Sequence, residues 1–322
     1  MRNNISLKGA AELLKSRDNI SILTHAFPDG DTLGCAFGLA LALQKLGKRV
    51  RVLCPDTIAE RYNYMVLPFK KQHFKEKFVV SVDIADTALL DGLREEYEGR
   101  IDLSFDHHPS NHRFAKYNYV KSDAAAACEI IYRLIKEMKT PIDRDIASAL
   151  YTGLTTDTGC FRFSNTSVNT LRIAAALMEY DVPCADINRV MFDTKTRARL
   201  DVERAALNAI DFFCDDLCAI MPLTADMITS AGAGDDELEG ITALPRSVEG
   251  VLLGITVRER APGTYKISMR SHAPVDAAEL CGSLGGGGHS RAAGCQMTGA
   301  LKDVTNKLKE LACEFVKRAT AS

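Results

Sequence analysis

His25, Asp29 and Asp31 crowd one imidazole and two carboxylates into a single short stretch, at His-x-x-x-Asp-x-Asp spacing. Such a set is most simply explained as ligands for a divalent cation. Similar groups recur downstream as Asp83, the triplet Asp106-His107-His108, and Asp157. Taken singly, an Asp after a strand is more often a helix cap or a turn residue. Taken together, the carboxylates of Asp29, Asp31, Asp83 and Asp157 would repel one another unless some took up protons or a cation intervened. Two ions of charge +2 match four negative charges. One carboxylate then bridges the ions, which in hydrolytic sites of this kind stand about 3.5 to 4 Å apart. Imidazole mixed with carboxylate favours Mn2+ over Mg2+, and the absence of Cys from the set speaks against a thiolate Zn2+ site.

The surrounding pattern supplies elements able to bring these residues together. An apolar β-prone run at residues 20–24 ends in a turn marked by Pro28 and Gly30. Thr32 is placed to cap a helix that carries Leu33, Phe37 and Leu41 on one face and stops at Gly47, before a strand over 50–54. In such a β-loop-α-β unit, His25 and both Asp lie beyond the carboxyl end of a strand, where open α/β sheets form their ligand crevices. Runs at 78–82 and 101–105 likewise end at Asp83 and Asp106. If these strands are parallel, all three ends share one edge of the sheet. A strand at 117–120, a helix from Ser122 to near Met138, and helices over 145–156 and 168–180 complete a mainly parallel α/β sheet covered by helices.

Residues 191–213 read as a helical connection, so the expected domains are 1–190, a linker, and a smaller α/β domain over 214–322. The second domain holds strands near 217–221, 251–257 and 265–269, the run Gly285-Gly286-Gly287-Gly288-His289, and an amphipathic helix over 301–318. Glycines let backbone N–H groups approach an anion, and His289 adds a donor or a charge.

Composition sets limits on the partners. The 322 residues are 46% hydrophobic and 25% charged, with a net charge of −2. That balance argues against a long nucleic-acid groove and leaves a short fragment or a nucleotide open. Lys70-Lys71, Arg258 and Arg260 are read as solvated surface. Ten Cys without a Cys-x-x-Cys pair, and a polar first segment, imply reduced thiols and a cytoplasmic protein. The chain has no run of about 18 apolar residues, so no membrane span is expected.

The whole set of motifs, from His-x-x-x-Asp-x-Asp through Asp106-His107-His108 to Gly-Gly-Gly-His, resembles the DHH/DHHA1 phosphoesterases over roughly residues 21–294. The length and two-domain layout are similar to the nanoRNase branch, bacterial oligoribonucleases that also act as 3′-phosphoadenosine 5′-phosphate phosphatases. The resemblance implies that His25 and Asp29 hold one metal, that Asp31, His107 and Asp157 hold the other, and that Asp83 bridges. It further implies that Asp106 orients His107, that His108 faces the scissile phosphate, and that Arg270 with Gly285, Gly286, Gly287, Gly288 and His289 contacts substrate. His272 and Arg291 are assigned to the surface. At residues 124–127 the chain has four Ala where relatives often carry Ser or Thr before the Glu of the next helix. The implied activity is Mn2+-dependent, two-metal hydrolysis of short oligoribonucleotides and of 3′-phosphoadenosine 5′-phosphate by a homodimer. The alternatives are a cyclic-dinucleotide phosphodiesterase, an inorganic polyphosphate or pyrophosphate hydrolase, and an idle nucleotide sensor.

Overall fold

The computed structural model describes residues 3–238 and 240–321. The chain divides into two compact units, Met1–Thr194 and Lys195–Ser322.

In the first unit the apolar runs become strands β1 Asn3–Asn4, β2 Ile20–Leu23, β3 Val50–Leu53, β4 Phe78–Val82, β5 Leu103–Asp106 and β6 Tyr117–Val120. Their order is β1-β6-β5-β4-β2-β3, and every pairing is parallel. Both faces are covered, which is why these strands read as continuous apolar runs. Ile20, Ile22, Val80, Val82 and Phe105 join a core with the helices Leu7–Ser16, Gly30–Lys45, Ala127–Glu137 and Arg144–Asp157. On the opposite face Leu23 and Val79 meet Leu90, Tyr97 and Ile101. From β2 the chain steps outward to β3 and then returns to lay β4 on the other side of β2. The winding therefore reverses between β2 and β4, and the crevice outside the carboxyl ends at such a reversal is where open α/β sheets bind ligands.

The Gly30–Lys45 helix is buried on nearly every side from Gly30 to Leu43. Its close approach to the Arg144–Asp157 helix needs small residues: a Cβ on Gly34 would collide with the Ala149 carbonyl oxygen, and one on Gly38 would lie 2.9 Å from Leu150 Cδ2. Two expected caps are corrected. Asp29, not Thr32, caps the first of these helices; its Oδ1 accepts from the N–H groups of Asp31 and Thr32 at 3.0 and 3.1 Å. Thr32 lies inside the first turn, and its hydroxyl donates to the Val82 carbonyl. The helix expected from Ser122 starts at Ala127, because residues 121–124 close a turn first.

The second unit holds β7 Asp211–Phe213, β8 Cys218–Leu223, β9 Leu253–Ala261, β10 Thr264–Ser271, β11 Gly287–His289 and β12 Ala292–Thr298. The order is β11-β12-β10-β9-β8-β7; β8 and β9 are parallel and the other pairs antiparallel. One face carries Leu253, Ile255, Ile267 and Met269 against the Leu301–Thr320 and Ala277–Ser283 helices. The other carries Met221 and Leu223 against Val202 and Ala206. Those last two residues lie on the Arg197–Asn208 helix. The segment expected to connect the domains thus contributes a helix and an edge strand to the second unit.

Cys214 and Cys313 form a disulfide, which corrects the expectation that every thiol is reduced. They are 99 residues apart and meet because the C-terminal helix packs on the sheet beside the β7–β8 turn, a juxtaposition that no local spacing reveals. No helix of the described residues is long and apolar enough to cross a membrane. A thiol titration of the unfolded, unreduced protein is expected to count eight free thiols, those of Cys35, Cys54, Cys128, Cys160, Cys184, Cys218, Cys281 and Cys295; a count of ten would show that the Cys214–Cys313 bond is absent.

Candidate metal centre

The reversal between β2 and β4 gathers the donors foreseen from the sequence. His25 follows β2, Asp83 follows β4, and Asp106-His107-His108 closes β5, while Asp29 and Asp31 open one helix and Asp157 ends another. His25 Nδ1 lies 2.8 Å from the Ala26 carbonyl, and His107 Nδ1 lies 3.1 Å from the Ala124 carbonyl. A carbonyl only accepts, so each Nδ1 carries a hydrogen and each Nε2 is turned toward the carboxylates. His25 Nε2 is 3.6 Å from Asp29 Oδ1 and 3.7 Å from Asp83 Oδ2. His107 Nε2 is 3.3 Å from Asp157 Oδ2, 3.5 Å from Asp83 Oδ1 and 3.9 Å from Asp31 Oδ2. These gaps exceed an ordinary N–H···O bond. They suit donors that share an ion at about 2 Å from each.

Asp83 presents one oxygen to each imidazole. It is buried, its φ of +58° lies in a region that Asp tolerates better than most residues, and its Oδ1 has no hydrogen-bond partner. Burial, followed by the charge of Asp31, pushes its carboxyl well above the usual range. Burial and the charges of Asp31 and Asp29 push Asp157 up to about 8. His25 reaches about 11; burial opposes its charge, but the facing carboxylates of Asp29 and Asp83 outweigh it. An orphaned buried carboxylate oxygen, raised carboxyls and imidazole nitrogens turned inward form a donor set that fits divalent cations.

Asp31 is fixed from the far side of the site. Its Oδ2 accepts from the Ala127 N–H at 2.6 Å and its Oδ1 from the Cys128 N–H at 2.9 Å, so it caps a helix whose own N-cap, Ala126, has no capping side chain. The run of Ala at 124–127 is accommodated in this way. Gly153 gives Asp31 room, since a Cβ there would stand 2.7 Å from Asp31 Oδ1. Cys35 and Cys128, absent from the foreseen set, lie behind Asp31 with their sulfurs 3.4 Å apart. Burial raises both thiols well above their usual range and keeps them neutral.

One expected role is corrected. The Asp106 carboxylate lies 2.8 Å from His108 Nδ1 and so orients His108; His107 is held by the Ala124 carbonyl instead. Burial works against the Asp106 charge, but the His108 hydrogen bond holds the carboxyl below its ordinary value. Two residues in support escaped the sequence reading. Asn111 Nδ2 donates to Asp106 Oδ2 at 2.6 Å, and Asn165 Nδ2 donates to the carbonyls of Ala125 and Asp157.

In the second unit, Arg270 lies at the end of β10 opposite Ala292 of β12. The glycine run is not wholly an open loop, because Gly287–His289 form the edge strand β11. Gly288 has a φ of +143°, and a Cβ there would come within 2.6 Å of the Ala292 carbonyl oxygen. His289 is exposed and pairs with Ala292.

Residues 19–154 match the DHH family, N-terminal domain, and residues 223–318 match the DHHA1 domain. A Thermus thermophilus protein named bifunctional oligoribonuclease and PAP phosphatase NrnA is 33% identical over 96% of this chain and 94% of its own. The protein of the same name from Bacillus subtilis is 24% identical over 87% and 90%. An exopolyphosphatase-related protein from Bacteroides fragilis superposes with a TM-score of 0.82 at 22% identity, covering 95% of this chain and 94% of that one, and so shares the fold. Fold, donor set and relatives together define a hydrolase of the phosphoesterase class. Within that class the chain belongs to the DHH family, in the branch that carries a DHHA1 domain.

The raised groups set a pH dependence. A carboxyl at about 8 when folded and about 3.9 when unfolded holds an extra proton in the folded state across that window, so the metal-free protein loses stability as pH rises through it. His25, raised to about 11, contributes stability that is full below about 6.5 and is lost toward the higher value. A cation competes with these protons and binds more tightly as they leave. A fixed Mn2+ concentration about a hundredfold above the Kd at pH 8 is therefore expected to add about 2.7 kcal/mol of stability at pH 8 and less at pH 6, where binding is weaker; equal gains at the two pH values would contradict the competition.

Proposed function

We propose that this enzyme hydrolyses short 5′-phosphorylated oligoribonucleotides to mononucleotides, and 3′-phosphoadenosine 5′-phosphate to AMP, with two divalent ions, Mn2+ in preference to Mg2+. Asp83 carries the reading: a buried carboxylate facing His25 through Oδ2 and His107 through Oδ1, with Oδ1 lacking a partner, is the arrangement expected of a bridging ligand. His25 and Asp29 would complete one ion's set, and Asp31, His107 and Asp157 the other's. When bound, the ions supply Lewis acidity that brings the pKa of water toward neutrality and offsets phosphate charge. The relatives named oligoribonuclease and PAP phosphatase support the substrate class.

His108 is the residue assigned to the leaving group. With Nδ1–H given to Asp106, its Nε2 is left to carry a proton to the leaving oxygen or to hydrogen-bond a phosphoryl oxygen. Arg270 and His289, with backbone N–H groups of the Gly285–Gly288 run, would bind the nucleotide. A small anionic substrate suits a chain of net charge −2 better than a long polyanion would. The same reading includes a cytoplasmic location and a homodimer.

Purified protein in Mn2+ is expected to release mononucleotide from a 5′-phosphorylated diribonucleotide and phosphate from 3′-phosphoadenosine 5′-phosphate, both abolished by a chelator. Cleavage of neither, or of cyclic dinucleotides alone, would overturn the proposal. Asp83→Ala is expected to lower turnover by at least about a thousandfold without lowering the Tm of the metal-free protein, because it removes a buried carboxyl oxygen that has no hydrogen-bond partner; a folded variant that retains turnover would sink the bridging role. His289→Ala is expected to raise KM with kcat within about threefold of wild type; a pure kcat defect would instead place His289 at the reacting phosphate.

A further inference from the structure

The strand register of the second unit aligns one row of residues across the sheet: Ala219, Gly254, Arg270, Ala292 and His289 pair in turn from β8 to β11. Directly paired residues point to the same face, and this row faces away from the Leu301–Thr320 helix, since Leu253, Ile255 and Met269 point toward it. The neighbouring row on the same face is Met221, Thr256, Ser268, Gly294 and Gly287. Around Arg270 the floor is thus made of glycine, alanine and small hydroxyl side chains.

Arg246 is brought onto this floor by Gly254. A Cβ at Gly254 would stand 2.5 Å from the Arg246 backbone nitrogen and 3.0 Å from its Cβ, so the missing side chain of Gly254 admits Arg246 beside Arg270. Two polar atoms on this face lack the partners that burial normally demands. Arg246 Nε and Thr256 Oγ1 are buried without a hydrogen bond, and Thr256 is fully enclosed. Arg270 donates only to the carbonyl of its neighbour Met269, and among the described residues no carboxylate pairs with either arginine. Burial and the charge of Arg246 both disfavour the charge on Arg270. Two arginines near enough for the charge of one to weigh on the other, with no carboxylate paired to either among the described residues, suit an anion. Next to them along the strands opens a cavity of about 380 Å³ whose lining includes Arg246, Ser247, Glu249, Leu252 and His272. His272, assigned to the surface from sequence, therefore lines a space large enough for a nucleoside.

We propose that Arg246 and Arg270 together form a paired-guanidinium site for the terminal phosphate monoester of a nucleotide, and that Arg246 sets the preference for phosphorylated over unphosphorylated ends. The inference deepens the proposed function and rests on its nucleotide substrate class. A phosphate monoester carries two charges near neutral pH and presents three oxygens, which matches two forks better than one.

The test is a titration of the full chain with AMP and with adenosine in the presence of a chelator. Wild type is expected to bind AMP at least tenfold more tightly than adenosine, R246Q to lose at least tenfold in AMP affinity, and R246K to fall between them because it keeps the charge without the fork. R246Q that melts like wild type and binds AMP as wild type does would overturn the inference, as would a wild type that does not distinguish AMP from adenosine. Should R246Q fail to fold, the partial loss expected of R246K decides, and an R246K that binds AMP as wild type does would overturn the inference. Turnover of bis(p-nitrophenyl) phosphate by wild type with Mn2+ reports the first unit alone; its absence, with AMP discrimination intact, would sink the two-metal reading and leave this site supported.

Discussion

Repulsion among carboxylates is the constraint to which the first unit is built. Asp29, Asp31, Asp83 and Asp157 are brought within reach of two imidazoles at one point of the sheet, where burial makes every uncompensated charge expensive. Left to itself, the chain would relieve this by moving the side chains apart. It is prevented because each is tied to an element that cannot yield locally. Asp83 terminates a central strand, Asp157 a helix buried against its neighbours, and His25 and His107 are locked by their own Nδ1–H bonds to carbonyls. Protons relieve the crowding in the absence of metal, and this is the origin of the raised Asp157 and His25.

Helix N-termini hold the two remaining carboxylates by a softer means. Asp29 accepts from the first turn of the Gly30–Lys45 helix, and Asp31 from the first turn of the Ala127–Glu137 helix. The partial positive charge of such ends favours a carboxylate over its protonated form. At Asp29 burial opposes the charge, but the facing His25 and the N–H groups of Thr32 and Asp31 together hold the carboxyl below its ordinary value. Gly34 and Gly153 complete the arrangement, for without the close helix contact Asp31 would not reach the second N-terminus.

Much of this is legible in the sequence because strand-terminal donors follow directly from local pattern. A β-prone run that ends in His or Asp announces both its position and its chemistry, and parallel order then gathers the ends. Hence the donor set and the sheet could be foreseen from His25, Asp29, Asp31, Asp83, His107 and Asp157. Contacts that depend on packing across the fold were not visible. The partner of Asp106 could not be chosen between two adjacent histidines until the loop of Asn111 had fixed the carboxylate. The capping role of Asp31 joins residues 96 apart. The Cys214–Cys313 bond and the approach of Arg246 over Gly254 are of the same kind, set by which element lies on which, and no spacing rule anticipates them. The glycine run was foreseen as a ligand-binding segment, but its conversion to an edge strand depended on pairing with β12.

The dual attachment of Asp31 has a consequence for how such proteins diverge. A lineage that abandons catalysis yet keeps the fold cannot readily do so through Asp31, since its loss also leaves the Ala127 and Cys128 N–H groups without their acceptor in the interior. Asp83 carries no such burden, as its carboxylate serves no helix end and its removal lessens crowding. A substitution is thus structurally cheaper at Asp83 than at Asp31, whose carboxylate also closes the N-terminus of the Ala127–Glu137 helix.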